Sequence, residues 1–233
     1  MVTVVPVADK DELARHAALK ARDTIVAAQA TGDGFARVVV TGGGAGIGTL
    51  RELRTLDGVD WSRIHVFFGD ERNVPPSHPD SNEGQAREAL LDHVDIPPAH
   101  IHGWRLGELL LDAAVAAYAE TLAAHAPHGF DLHLLGMGGE GHINSLFPHT
   151  PAVREQERLT LAVTDSPKPP AERATLTLPA IVRADHVWLL VSGPEKAEAA
   201  AQVIAGAPAE AWPAAGARGR TETLLFLAAD AQG

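Results

Sequence analysis

The stretch Arg37-Val38-Val39-Val40-Thr41-Gly42-Gly43-Gly44-Ala45-Gly46-Ile47-Gly48 reads as a strand, a glycine turn and the start of a helix. A short unbroken β-branched run is the pattern of a strand buried on both faces. The glycines after it let the chain turn sharply and open a helix that is expected to run to about Leu56. Working outward, the same alternation recurs. Asp9 to Ala30 places Leu13, Ala17, Ala21, Ile25 and Ala28 on one helical face, with Asp9 as cap, Glu12 set for a capping box and Gly32 at the end. Ile64–Phe68 is the next strand. Helices follow over Asn82–Asp92 and Glu108–Ala126, and a strand over Phe130–Leu135. Leu159–Val163 and Ala174–Leu178 are shorter strands, and Val187–Val191 is a strongly apolar one. Pro194 opens a helix that Gly206 ends, and Thr223–Leu227 is a last strand. Strands alternating with helices predict an α/β fold, a mostly parallel sheet with helices on both faces, in one domain spanning residues 1–233. Ligands in such sheets bind beyond the carboxyl ends of the strands. The loops after Arg37–Thr41, Ile64–Phe68 and Phe130–Leu135 all carry glycines, charges or histidine there.

Composition narrows the function. The 233 residues carry a net charge of −11 and no cysteine. The acidic balance argues against nucleic acid as a partner, which would ask for a basic face. Without cysteine there is no disulfide, thiolate nucleophile or Cys-based metal site. Met1 to Lys10 lacks the charged and apolar regions of a signal peptide, and no run is apolar enough to span a bilayer, so a cytoplasmic chain without a membrane role is expected. Of the 12 histidines, His100 and His102 form a weak ligand-like pair. With no carboxylate cluster beside them they are read as surface residues, and no metal or other cofactor is expected.

Thr41-Gly42-Gly43-Gly44-Ala45-Gly46-Ile47-Gly48 also fits the cofactor loop of short-chain dehydrogenases, but that chemistry needs Tyr-x-x-x-Lys. The only tyrosine is Tyr118, and Leu122 stands at the lysine position. A P-loop fails because Thr49 follows Gly48, and no G-x-S-x-G elbow exists. What remains is a glycine loop whose free amides at a helix start can hold one phosphate.

Three segments carry chemistry. Gly136-Met137-Gly138-Gly139-Glu140-Gly141-His142 crowds glycines against a histidine, the side chain best suited to general-base work near neutrality. Gly69-Asp70-Glu71-Arg72 sets two carboxylates beside an arginine, whose planar fork suits a phosphate or an oxyanion. Asp165-Ser166-Pro167-Lys168-Pro169-Pro170-Ala171-Glu172-Arg173 is a proline-stiffened loop with two cations.

Together these stretches resemble the 6-phosphogluconolactonase family. The resemblance rests on Phe68 to Pro75 with Ser81-Asn82, on Gly136-Met137-Gly138 through His142 to Ser145-Leu146-Phe147-Pro148, and on Ser166 to Pro170 with Arg173 and Thr175-Leu176-Thr177. Glu140 stands where that family usually has Asp, Asn144 where it usually has Ala, and His149 where it usually has Gly. Gly44 and Ile47 break its phosphate-loop pattern. The resemblance implies a modified Rossmann-like, sugar-phosphate isomerase/deaminase-like domain. It implies hydrolysis of 6-phospho-D-glucono-1,5-lactone in the oxidative pentose phosphate pathway, without metal or cofactor. His142 would activate water, Arg72 or the Gly138–Gly141 amides would stabilise the oxyanion, and Asp70 or Glu140 would orient the imidazole. Gly42, Gly43, Gly44, Lys168 and Arg173 would hold the phosphate. The expected partner is that small phosphorylated lactone, and the chain is expected to be a monomer or weak homo-oligomer. The alternatives are a glucosamine-6-phosphate deaminase or isomerase on the same scaffold and a non-catalytic sugar-phosphate-binding protein. The deaminase pattern of Asp-Glu-Tyr at Asp70-Glu71-Arg72 and of Phe-Asn-Glu-Pro at Ser145 to Pro148 is absent.

Overall fold

A computed structural model describes residues 2–232. Seven parallel strands form the main sheet in the order β1-β10-β9-β6-β2-β3-β5. These are β1 (Thr3–Val7), β2 (Ala36–Val40), β3 (Ile64–Phe68), β5 (Ile101–His102), β6 (Leu132–Gly136), β9 (His186–Val191) and β10 (Glu222–Ala228). In the central strands, consecutive residues are buried: Val187 to Val191 and Leu132 to Leu135 are all inside. Since neighbouring residues of a strand face opposite ways, both faces of the sheet are covered. A second, antiparallel sheet runs β4-β8-β7, with β4 (Asp70–Arg72), β7 (Thr160–Val163) and β8 (Arg173–Leu176). No helix among the described residues is long and apolar enough to cross a membrane.

Helix α1 (Lys10–Gln29) starts where its cap was expected: the Asp9 carboxylate accepts from Glu12 N–H at 2.8 Å. The Glu12 carboxylate reaches back to Ala8 N–H at 2.5 Å, one residue before the cap, so the box closes one step early. Helix α2 (Gly43–Leu53) follows β2, and α3 (Asn82–Ala89) lies beyond β4. Helix α4 (Leu111–His125) precedes β6. The single turn α5 (Leu178–Ile181) follows β8, and α6 (Ala197–Ala205) follows β9. Ala174–Leu178 was expected to be strand to its end; instead the Thr177 hydroxyl caps α5, so β8 stops at Leu176.

Three strands escaped the sequence: β1, β4 and β5. β1 contains Pro6, which has no N–H to donate; at the edge of the sheet only β10 pairs with it, so the missing donor faces away. β5 is two residues long and extends the opposite edge through Val66↔Ile101 and Phe67↔His102. That pairing corrects the reading of His100 and His102 as surface residues. His102 is 8% exposed and stacks on Phe67 at 4.7 Å, and His100 is half-buried.

The end of β3 is tied down by two aromatic side chains. The Tyr118 hydroxyl accepts from Phe68 N–H at 2.8 Å and donates to its carbonyl at 3.2 Å. Trp104 Nε1 donates to the same carbonyl at 3.1 Å and stacks on Tyr118 at 3.7 Å. Beyond Phe68, Gly69 bridges the two sheets: its N–H donates to Val40 O at 3.3 Å, and its carbonyl accepts from Leu176 N–H at 2.8 Å. The chain therefore passes from the parallel sheet straight into β4, which carries Asp70, Glu71 and Arg72 to the mouth of the sheet.

Candidate active site

A cavity opens at the carboxyl ends of β2, β3, β6 and β9, where the three glycine-bearing loops meet. Gly42, Gly43, Gly44, Asp70, Arg72, His142 and Arg173 all line it, joined by Thr41, Asn82, Asn144 and Lys196. Seven of the nine residues singled out from sequence thus line one hollow, and Glu140 touches the lining His142. Lys168 does not line it.

The floor is built by β4 and the start of α3. Glu71 turns away from the cavity. Its carboxylate accepts from Ser81 Oγ (2.9 Å) and from the N–H groups of Asn82 and Glu83 (both 2.8 Å), so it serves the first turn of α3. Burial pushes this carboxyl up to about 7 despite those bonds. Asn82, held there, donates Nδ2 to the carbonyl and carboxylate of Asp70, both at 2.9 Å, and its Oδ1 accepts from Arg72 Nη1. Asp70 also accepts from Ser145 Oγ at 2.7 Å. Asp70 is thus committed to Asn82 and Ser145, and it is Glu140 that meets the imidazole.

His142 Nδ1 lies 3.1 Å from Glu140 Oε1. A carboxylate can only accept, so Nδ1 carries the proton and Nε2 is left with its lone pair. The ring stacks on Phe147 at 4.5 Å. Burial pushes the imidazole below its ordinary value, with the Glu140 charge pulling partly back, so the ring is neutral at pH 7. Lys168 Nζ spans the Glu140 carboxylate, 2.8 Å from the Oε1 that His142 also meets and 3.0 Å from Oε2. Partial burial raises the Glu140 carboxyl, but the Lys168 hydrogen bond and nearby positive charge outweigh it and hold the group low. Gly138 is needed here, since a Cβ on it would fall 2.1 Å from His142 Nδ1. Two of the loop amides expected to be open to an oxyanion are taken: Gly138 N–H donates to His142 O and Gly141 N–H to Gly138 O, both at 3.0 Å.

Asn144 was noticed only as a departure from a family pattern. It adopts φ 49°, which asparagine tolerates better than most residues, and both side-chain polar atoms are buried without a partner among the described residues. A buried unpaired amide in a cavity wall is a group waiting for a ligand. At the other end, α2 begins at Gly43 with no side-chain cap, so its first N–H groups face the hollow. Arg173 spends Nε and Nη2 on the carbonyls of Lys168, Pro169 and Pro170 at 3.0–3.1 Å, leaving Nη1 unbonded among the described residues. Lys196 stands in the wall after β9, its amine pushed below the ordinary lysine range by burial. Nothing in the sequence marked it beyond a cation following a strand and a Gly-Pro turn.

Residues 8–226 match the family described as glucosamine-6-phosphate isomerases/6-phosphogluconolactonase. The chain is 54% identical to the 6-phosphogluconolactonase of Mycobacterium leprae, with 82% of each chain covered. It is 45% identical to that of Streptomyces coelicolor, covering 94% of this chain and 89% of the other. The crystal structure of 6-phosphogluconolactonase from Thermotoga maritima superposes with a TM-score of 0.88 at 26% identity, over 98% of this chain and all of that one. A monomeric glucosamine-6-phosphate deaminase shares the fold with a TM-score of 0.85 at 23% identity.

Proposed function

From the premise that this chain belongs to the glucosamine-6-phosphate isomerase/6-phosphogluconolactonase family, we propose how it works as a lactone hydrolase acting on 6-phospho-D-glucono-1,5-lactone. The observation that carries the reading is the Glu140–His142 pair, which leaves a neutral imidazole Nε2 on the wall of an anion-binding hollow. Nε2 takes a proton from water as the oxygen attacks C1. The resulting imidazolium is stabilised by Glu140 through Nδ1–H. Negative charge builds on the former carbonyl oxygen, and Arg72 and the Asn144 amide are the cavity donors able to meet it. The tetrahedral intermediate collapses with cleavage of C1 from the ring oxygen, which takes the proton back from Nε2. The product acid then ionises and releases one proton.

The phosphate binds at the far end, on the α2 amides of Gly42, Gly43 and Gly44 with Arg173 and Lys196. Gripping a group remote from the reacting carbon lets binding energy align C1 with the water. Lys168 fixes the Glu140 carboxylate that fixes the histidine.

His142→Asn tests the reading. The variant keeps a polar side chain but no base, so kcat should fall by roughly 10²–10⁴-fold. Base uptake from freshly made lactone, corrected for spontaneous hydrolysis, measures it. A rate near that of the unsubstituted enzyme would remove the histidine from the mechanism.

A further inference from the structure

At the opposite end of β3 from the cavity, three imidazoles meet. His65 is the second residue of β3, His102 ends β5, and His125 ends α4. One ring nitrogen from each lies within 4.8 Å of the other two. His65 Nδ1 and His102 Nε2 are already 2.9 Å apart, and the His102 and His125 rings stack at 4.5 Å. We propose that His65, His102 and His125 form a binding site for a zinc-class divalent cation, separate from the catalytic hollow, that clips the last strand of the sheet to α4.

The donor set fits such an ion. Imidazole nitrogen suits zinc and its late first-row neighbours, and an all-nitrogen set disfavours magnesium and calcium. With metal–nitrogen distances of about 2.0–2.1 Å, a tetrahedral site needs nitrogens about 3.4 Å apart. Side-chain movement on the order of 1 Å brings the three into that range. Metal ligation requires neutral rings, and His102 is buried while His65 is half-buried, an environment that favours the uncharged form. The other charges near the site are Arg37, which donates Nε to His125 O at 2.7 Å, and its partner Asp33. Among the described residues no carboxylate pairs with the three rings.

Two further observations point to a ligand. His100 packs against His65 at 4.5 Å, and its Nδ1 is buried with no hydrogen-bond partner among the described residues. A water in the fourth position of the ion would satisfy that nitrogen. The site also sits at an edge of the sheet, where β5 is held by only two paired residues. Binding that requires the folded arrangement of β3, β5 and α4 would stabilise this edge by mass action.

The experiment titrates the purified, chelator-stripped full chain with zinc chloride by calorimetry and repeats it with cobalt(II) in the visible spectrum. The expected result is one equivalent bound, cobalt bands typical of nitrogen ligation, and a rise in melting temperature with added zinc. His125→Gln, at the helix end, should weaken binding at least 10-fold while leaving lactone hydrolysis unchanged. His65→Gln should do the same; His16→Gln, on an exposed histidine elsewhere, should change nothing. Absence of saturable binding would overturn the proposal. So would binding that survives both cluster variants, whether it follows His142→Asn or is spread over several weak sites.

Discussion

Glu140 touches both a base and a cation, and its charge steadies the proton on each. It anchors the Lys168 ammonium at 2.8 Å and steadies the proton on His142 Nδ1 at 3.1 Å. Glu140→Gln keeps the shape and removes the charge. Imidazolium formation during water attack then loses its counter-charge, and the amide can donate to Nδ1, which turns the ring to the tautomer with no lone pair at Nε2. A misdirected tautomer at an equivalent position costs about 10⁴-fold in serine proteases; a loss of roughly 10²–10⁴-fold in kcat with KM little changed is expected here. The pKa of His142 should move as well. Glu140 raises it and Lys168 lowers it, so the variant's imidazole titrates below that of the unsubstituted enzyme. NMR titration of the free enzyme reads the shift directly, and a move upward would contradict the assigned contact.

Helix α2 and strand β4 depend on one another through a single asparagine. A Cβ at Gly42 would lie 2.1 Å from Asn82 Oδ1 and 2.9 Å from its Cγ. Asn82 cannot give way freely, because it holds Asp70 and Arg72. Gly42→Ala should therefore lower kcat/KM by at least about 10-fold through misplaced charges, with a stability loss of about 1–3 kcal/mol from overpacking. Gly43 is the contrast: its φ of 78° strains any other residue, yet no atom lies within 4 Å of the added carbon. Gly43→Ala should cost about 1–2 kcal/mol of stability with a smaller kinetic effect. Steady-state assays beside urea titrations separate the two outcomes. The glycine loop, its helix and the histidine loop were legible in the sequence because each rests on local chemistry: a β-branched run, a turn, a cap. β4 was not. Asp70-Glu71-Arg72 has no strand propensity, and it pairs only because β8, about 100 residues later, supplies the partner register Asp70↔Thr175 to Arg72↔Arg173. Tyr118 was weighed as a proton donor and is a buried brace for Phe68. The pairing of Glu140 rather than Asp70 with His142 depended likewise on Asn82 and Ser145, which reach Asp70 from other elements.

Across the whole chain, the buried histidines set how stability responds to acid. His133 on β6 is fully buried with neither ring nitrogen bonded among the described residues, and burial lowers it to about 3. His102 at about 3 and His65 at about 4 are lowered chiefly by the same desolvation. In the unfolded chain each returns to the ordinary value of about 6.5. Between pH 6.5 and those depressed values the unfolded state binds the extra protons, so stability must fall as pH falls through that window. A fully expressed group of this kind contributes a slope of about 1.4 kcal/mol per pH unit. Glu71 works the other way: raised to about 7, it takes its proton in the folded state and favours folding as pH drops from 7 towards 4.5. One such carboxyl offsets one histidine and leaves the others, so the fold should be markedly weaker at pH 5 than at pH 7. The net charge of −11 would by itself favour folding on acidification, but at 0.15 M salt charges more than about 8 Å apart are largely screened. Urea unfolding at pH 5, 6 and 7 in that salt provides the measurement. His133→Leu should flatten the profile by removing the most deeply buried titrating ring, raising stability at pH 5 relative to the unsubstituted chain. A profile that is level between pH 5 and 7, or a variant whose slope is unaltered, would mean that these rings do not govern the acid response.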